Sequence, residues 1–367
     1  MKDPRIESLA NILVNYSIGV KPKDWILISA GVEALPLARE VLRNILRAGG
    51  HANVRLDTDD LAEVIYMESS DAQLEWVSPV DTLLYENVDA LISLRAPSNT
   101  RTLTGVDPQK QRLRSNSRRE LMETYLNRSA EGSLRWVTTI HPCQAMAQEA
   151  DMSLEEYEDF VYGATFADRP DPIQSWLDVH DEQQHLVDWL QGKKDVIVRG
   201  PNSDLRLSIE GRPFINSDGK RNMPSGEIFT SPIEDSANGW VQFTYPAITG
   251  GREVEGVKLE FKGGKVINAS AEKNEAYLLT MLDSDPGARF LGEFAIGTNY
   301  GIQRFTKSIL FDEKIGGSFH MAVGAGYPET GSKNKSSIHW DFICDLRDDS
   351  EILVDGDLFY KNGQFMI

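Results

Sequence analysis

WILISAGVEALPLAREVLRNILRAGGHANVRLD, residues 25–57, decides the fold class. Trp25 to Ala30 is an apolar run of strand length, interrupted only by Ser29, as expected of a strand covered on both faces. From Val32 to Ala48 the apolar positions change to helical spacing, and Gly49-Gly50 is suited to end that helix. Ala52 to Leu56 is strand-like again. Strand, helix and strand joined by short connections make a βαβ unit, which implies parallel strands with a right-handed crossover.

Working outward, residues 5–17 carry Ile6, Leu9, Ile12 and Leu13 at helical spacing, and Lys21 to Asp24 reads as a turn. Ala90–Leu94 and Arg135–Ile140 are further strands. A polar, Arg-rich helix is predicted around 108–127, and others over 153–164 and 173–191. Val196 to Val198 is strand-like. Near residue 200 helical runs become scarce, and short alternating segments take over: 204–209, 240–245, 257–261 and 266–270. Lys262-Gly263-Gly264-Lys265 joins the last two as a hairpin turn. One helix is predicted around Asn274 to Leu282. The reading is an α/β N-terminal domain with a parallel sheet over 1–197, followed by a mixed α+β, β-rich C-terminal domain over 198–367.

The chain has 367 residues, 41% of them hydrophobic, which is enough for a sizeable core. Its formal net charge of −18 and the absence of a long basic run argue against nucleic acid as a partner. The acidity serves solubility and is also compatible with a carboxylate site that takes cations. The two cysteines, Cys143 and Cys344, indicate no disulfide framework and are too few for a cysteine zinc cluster. The N-terminus carries charges through its first eight residues, and no run approaches the roughly 18 apolar residues of a spanning helix. The expected compartment is the cytoplasm, with no membrane partner.

Chemistry concentrates in the C-terminal half. His339-Trp340-Asp341 sets two hard ligands at i and i+2, which share a face of an extended strand. Alone, such a pair reads equally as a polar face or a His–Asp hydrogen bond. His320 sits in an apolar strand-like run, where an unpaired imidazole costs free energy. Glu227 and Glu293 each follow a glycine and precede an apolar run, so each is predicted to be buried and to need a partner, either a basic side chain or a divalent cation.

The segments GEIFTSP (226–232), FLGEFAIGTN (290–299), LFDEKIGGSFHMAVGAGYPETGSKN (310–334) and SSIHWDFICDL (336–346) resemble the M29 aminopeptidases of the aminopeptidase T type. The resemblance is strong over residues 220–347 and more diffuse before them. It implies a cytoplasmic, homodimeric metallo-aminopeptidase that removes N-terminal residues from peptides with two divalent metal ions. Carried over residue by residue, it makes Glu227, Glu293, His320, His339 and Asp341 metal ligands. Tyr327 becomes an active-site tyrosine, and Glu313 a further ligand or general base. Such a donor set neutralises most of four positive charges and suits Zn, Co or Mn, with Mg also compatible. Tyr327 would donate to the developing oxyanion, and a nearby carboxylate would shuttle a proton.

Other features read as structure. GYPETGSK (326–333) has its lysine one place late for a phosphate loop, and neither His-Glu-x-x-His nor Gly-x-Ser-x-Gly is present. His180 and His185 read as surface or cap positions near a helix start, His141 as the end of a strand, and Arg112, Arg114, Arg118 and Arg119 as a solvated helix face or dimer contact. Two competing functions remain. In one, His320, His339 and Asp341 form the Fe(II) facial triad of a ring-cleaving dihydroxypyridine dioxygenase, a type similar to this family; Glu227 and Glu293 are superfluous to such a site. The other is a peptide-binding module with a degenerate site.

Overall fold

The computed structural model describes residues 3–249 and 251–367; Met1 and Lys2, which open the charged N-terminal segment, lie outside the described residues. The chain forms two compact units, Met1–Ser175 with Gly219–Pro224, and Trp176–Asp218 with Ser225–Ile367.

In the first unit, β1 (Trp25–Gly31), β2 (His51–Asp57), β3 (Ala90–Arg95) and β4 (Arg135–Ile140) lie side by side in the order β2-β1-β3-β4, and Asn222–Met223 adds a short strand beside β4. Every pairing is parallel. Ile26, Leu27 and Ile28 are buried, as the apolar run predicts. The helix Leu35–Arg47 joins β1 to β2 and buries Leu37, Ala38, Val41 and Ile45. Gly49 follows it at φ +82, a conformation that a residue with a Cβ adopts at a cost.

Three helices between β2 and β3, Asp59–Glu68, Asp71–Glu75 and Pro79–Asn87, have no counterpart in the sequence reading. Leu74 and Leu84 are buried, but Leu61, Val64, Met67, Val80 and Leu83 are exposed, so no continuous core-facing stripe announces these helices. Caps mark their starts instead: Thr58 accepts from the Leu61 amide and Ser78 from the Val80 amide. The single helix expected over 108–127 is two, Pro108–Ser117 and Arg119–Ala130, separated at Arg118. The expected helix over 5–17 is α-helical only over Pro4–Asn11 and then widens to π-helical turns over Ile12–Ser17.

Among the described residues the second unit holds three antiparallel sheets, two main ones and a two-stranded one of Ala247–Thr249 and Arg252–Val254. Eight strands run in the order 265–270, 258–262, 238–242, 203–208, 195–200, 351–354, 357–361 and 364–365. The smaller main sheet contains β5 (Ile215–Ser217), β6 (Glu227–Thr230), β7 (Leu291–Gly297), β8 (Ser318–Gly324) and β9 (His339–Asp345), in the order β9-β8-β7-β6-β5. Val198, Leu205, Val241, Leu259 and Ile352 of the larger sheet share one core with Ile228, Phe294, Ile296, Phe319, Met321, Val323, Trp340 and Phe342 of the smaller. Alternation then forces the opposite face of the smaller sheet to carry the other half of each strand.

Candidate metal centre

That other face carries every strand-borne candidate. In β8, His320, Ala322 and Gly324 alternate with the core residues Phe319, Met321 and Val323; in β9, His339 and Asp341 flank Trp340. Register brings the strands' chemistry together. Ala322 pairs with Asp341 and Gly324 with His339, while Ala295 lies opposite His320 and Gly297 opposite Glu227. Each acidic or imidazole side chain therefore has an alanine or glycine across from it on at least one side, although His320 faces Ile343 and Glu227 faces Ser217 on the other. A bulge between Leu291 and Glu293 turns Glu293 onto this face. Gly292 is required there, because a Cβ would lie 2.3 Å from the Ala325 carbonyl oxygen.

The polar atoms converge. His339 Nε2 lies 3.2 Å from Glu293 Oε2 and 3.5 Å from Asp341 Oδ1. His320 Nε2 lies 3.6 Å from Glu227 Oε2 and 3.9 Å from Glu293 Oε1. His339 Nδ1 donates to the Ala325 carbonyl at 2.7 Å, which leaves Nε2 to face the carboxylates. Glu313, beyond the short helix Ile309–Asp312, completes the cluster. Two groups of three ligand atoms arise, each within 4.8 Å: Glu293, His339 and Asp341, and Glu313, His320 and Asp341. Asp341 belongs to both. Tyr327 lies at the edge, its ring 5.1 Å from that of His339 and 5.6 Å from that of Phe229.

The residues fit a divalent cation. Glu227 Oε2, His320 Nδ1 and Asp341 Oδ1 are buried without a hydrogen-bond partner, a costly condition for a carboxylate. The spacings of 3.2 and 3.5 Å at His339 are those of atoms gathered round a common ion, since two ligands each about 2.1 Å from one metal lie roughly 3–3.5 Å apart, while those at His320, 3.6 and 3.9 Å, are somewhat wider.

Electrostatics reflect the crowding. Burial pushes the carboxyls of Glu227 and Glu293 up to about 7, against the opposing pull of Lys314 on the first and of His339 on the second. Burial also works to raise Asp341, but the His339 and His320 rings and Lys314 outweigh it and hold the carboxyl low. Burial would lower His339; Asp341 and Glu293 reverse that and push it up to about 12. Desolvation of its hydroxyl, reinforced by the surrounding carboxylates, keeps the Tyr327 phenol protonated far above its ordinary range, although the residue as a whole is exposed.

The sequence reading assigned no role to Lys314. Its side chain is fully buried, paired with Glu313 and 3.6 Å from Glu227 Oε1. The available signal was the charged triplet Asp312-Glu313-Lys314 between Phe311 and Ile315, a pattern that a buried segment tolerates only with its charges compensated. The remaining histidines lie elsewhere. His180 falls within the helix Pro172–Leu190, not at its cap, and binds Asp218 at 2.8 Å; His185 is exposed on the same helix. His141 follows β4 and is buried with its Nδ1 unpartnered.

The chain is similar to known aminopeptidases along most of its length. Over 94% of its length the chain is 28% identical to aminopeptidase 2 of Geobacillus stearothermophilus, covering 93% of that protein. It is 26% identical to aminopeptidase T of Thermus thermophilus, over 98% of this chain and 95% of the other. The solved structure of wild-type AmpT from Thermus thermophilus shares the fold, with a TM-score of 0.86 at 22% identity over 99% of both chains. The family model for thermophilic metalloprotease (M29) matches residues 2–365, and the chain belongs to that family.

Proposed function

We propose that this metalloprotease is an aminopeptidase that hydrolyses the first peptide bond of peptides at a site for two divalent ions. The observation that carries the two-ion reading is the membership of Asp341 in both three-ligand groups, which would let it contribute to holding either ion. Glu293 and His339 would complete one ion's ligands, and Glu313 and His320 the other's, with Glu227 joining through Oε2. The mixed nitrogen and oxygen donors, without thiolate, suit Zn, Co or Mn, with Mg compatible. The named relatives are aminopeptidases, which supports the peptidase and gives the ring-cleaving dioxygenase no support.

Bound ions would supply Lewis acidity to the scissile carbonyl and acidify a water. The protein supplies the rest. Tyr327 keeps its phenol proton and can donate it in a hydrogen bond to the oxyanion of the tetrahedral intermediate. Glu313 has one oxygen held by Lys314, which leaves its second oxygen either to an ion or, in its place, to the proton of the attacking water, which it would return to the leaving amine. The buried carboxylates recognise the free α-amine, which restricts cleavage to the first bond.

A cytoplasmic homodimer belongs to the same proposal. Among the described residues no helix is long and apolar enough to cross a membrane. Leu61, Val64, Met67, Trp76, Met122 and Leu126 are exposed apolar side chains that a second copy would cover. The deciding experiment is metal analysis beside release of a chromophore from an aminoacyl derivative. Two Zn, Co or Mn ions per chain with turnover are expected; one iron per chain without turnover defeats the proposal.

A further inference from the structure

A fully buried lysine is costly, and ion pairing seldom makes it a net source of stability. Lys314 has no solvent exposure, and its ammonium faces two carboxylates that belong to the candidate metal site. The sharing of Glu227 is directional. Its Oε1 lies 3.6 Å from Lys314 Nζ, while its Oε2 lies 3.6 Å from His320 Nε2 and has no hydrogen-bond partner. The ammonium thus occupies one side of Glu227 and leaves the other open toward the imidazole. On the opposite flank it pairs with Glu313. Four carboxylates, Glu227, Glu293, Glu313 and Asp341, against one ammonium leave a formal charge of −3 with neutral imidazoles. Two divalent ions then overshoot neutrality by one, whereas without Lys314 they would match it.

We propose that Lys314 is a positioning residue and resident cation of this site: it holds Glu227 with a single oxygen open, steadies the carboxylates before metal arrives, and loosens the grip on divalent ions by competing for the same anions. The inference rests on the two-ion reading above. It implies a site built for exchangeable metal, with part of its charge compensation permanently in place.

The test compares wild type with Lys314→Met and Lys314→Arg, each stripped by chelator and then titrated with Zn or Mn. Calorimetry gives Kd, and thermal melting is followed with and without metal. Lys314→Met is expected to melt several degrees lower when metal-free, to recover most of that gap with metal, and to bind the ions roughly tenfold tighter or more. Lys314→Arg, which keeps the charge, stays near wild type in both measurements. A lysine that merely fills space predicts one melting gap, the same with and without metal, and an unchanged Kd; that result overturns the proposal. A Met variant that folds only with metal present is the expected effect at its extreme. If Lys314→Met does not fold under either condition, Lys314→Gln is measured in its place, and an unchanged or weaker Kd there overturns the proposal. A wild-type chain that takes up neither Zn nor Mn defeats the metal reading itself, an outcome separate from any difference among the lysine variants.

Discussion

Ala322 lies directly opposite Asp341 in the register of β8 and β9. On its other side it pairs with Glu293, so one methyl group separates two acidic strands. Ala322→Leu puts three further carbons into that gap. The expected outcome is a folded protein, less stable by about 1–3 kcal/mol, that has lost its metal uptake. Calorimetric titration with Zn beside a melting curve checks it; a Leu variant with wild-type metal stoichiometry would show that the small residues are incidental.

If His339 and Glu293 hold metal as proposed, they set the pH dependence of its uptake. Without metal, burial raises Glu293 and Glu227 to about 7, and the carboxylates around His339 raise its ring to about 12. Raised values mean protons that an incoming cation must displace. Uptake should therefore release protons and weaken as pH falls from 8 to 6, by about tenfold per unit for each proton released. Titrations in buffers of different ionisation enthalpy count those protons, and a pH-independent Kd contradicts the expectation.

Tyr327→Phe removes a hydroxyl while keeping the ring against His339 and Phe229. If the phenol donates to the oxyanion, kcat should drop by roughly 10²–10³ with metal content unchanged. Loss of metal together with activity would assign Tyr327 to holding the site instead.

His141 gives a stability prediction outside the metal centre. Burial pushes its imidazole down to about 4, and its Nδ1 has no partner. The folded state thus favours the neutral ring while the unfolded chain, titrating near 6.5, takes up a proton first. The stability this ring contributes is present above about 6.5 and is lost as pH falls toward 4, on the order of 3 kcal/mol in full. His141→Gln should flatten the acid side of the stability curve in denaturant titrations at pH 4, 5 and 6.5. Parallel losses in both proteins would assign acid sensitivity to other groups.

The parallel sheet was legible because burial writes itself into sequence: Ile26, Leu27 and Ile28 must all be covered, and only a doubly covered strand accepts them. The helices over 59–87 were illegible for the converse reason, since Leu61, Val80 and Leu83 face outward and periodicity reports only a buried side. The break at Arg118 carries no glycine or proline to announce it. At the site, His339 and Asp341 could be placed on one face from spacing alone. The approach of Glu227 to His320 depends on strand pairings between distant parts of the chain, and family motifs were the only guide to it. Lys314 escaped because spacing reveals a side chain's position along the chain and not whether solvent reaches it.

The alternation of β8 has a further consequence for folding. Side chains change faces at every residue, so sliding this strand by one place against its neighbours would drive His320 into the aromatic interior and lift Phe319 and Met321 among acids. Both halves of that exchange are penalised at once, and the same holds for β9 with Asp341 and Trp340. The groups proposed to perform chemistry in the finished enzyme would therefore also act as an alignment key during its assembly, rejecting misthreaded sheets before any substrate is met.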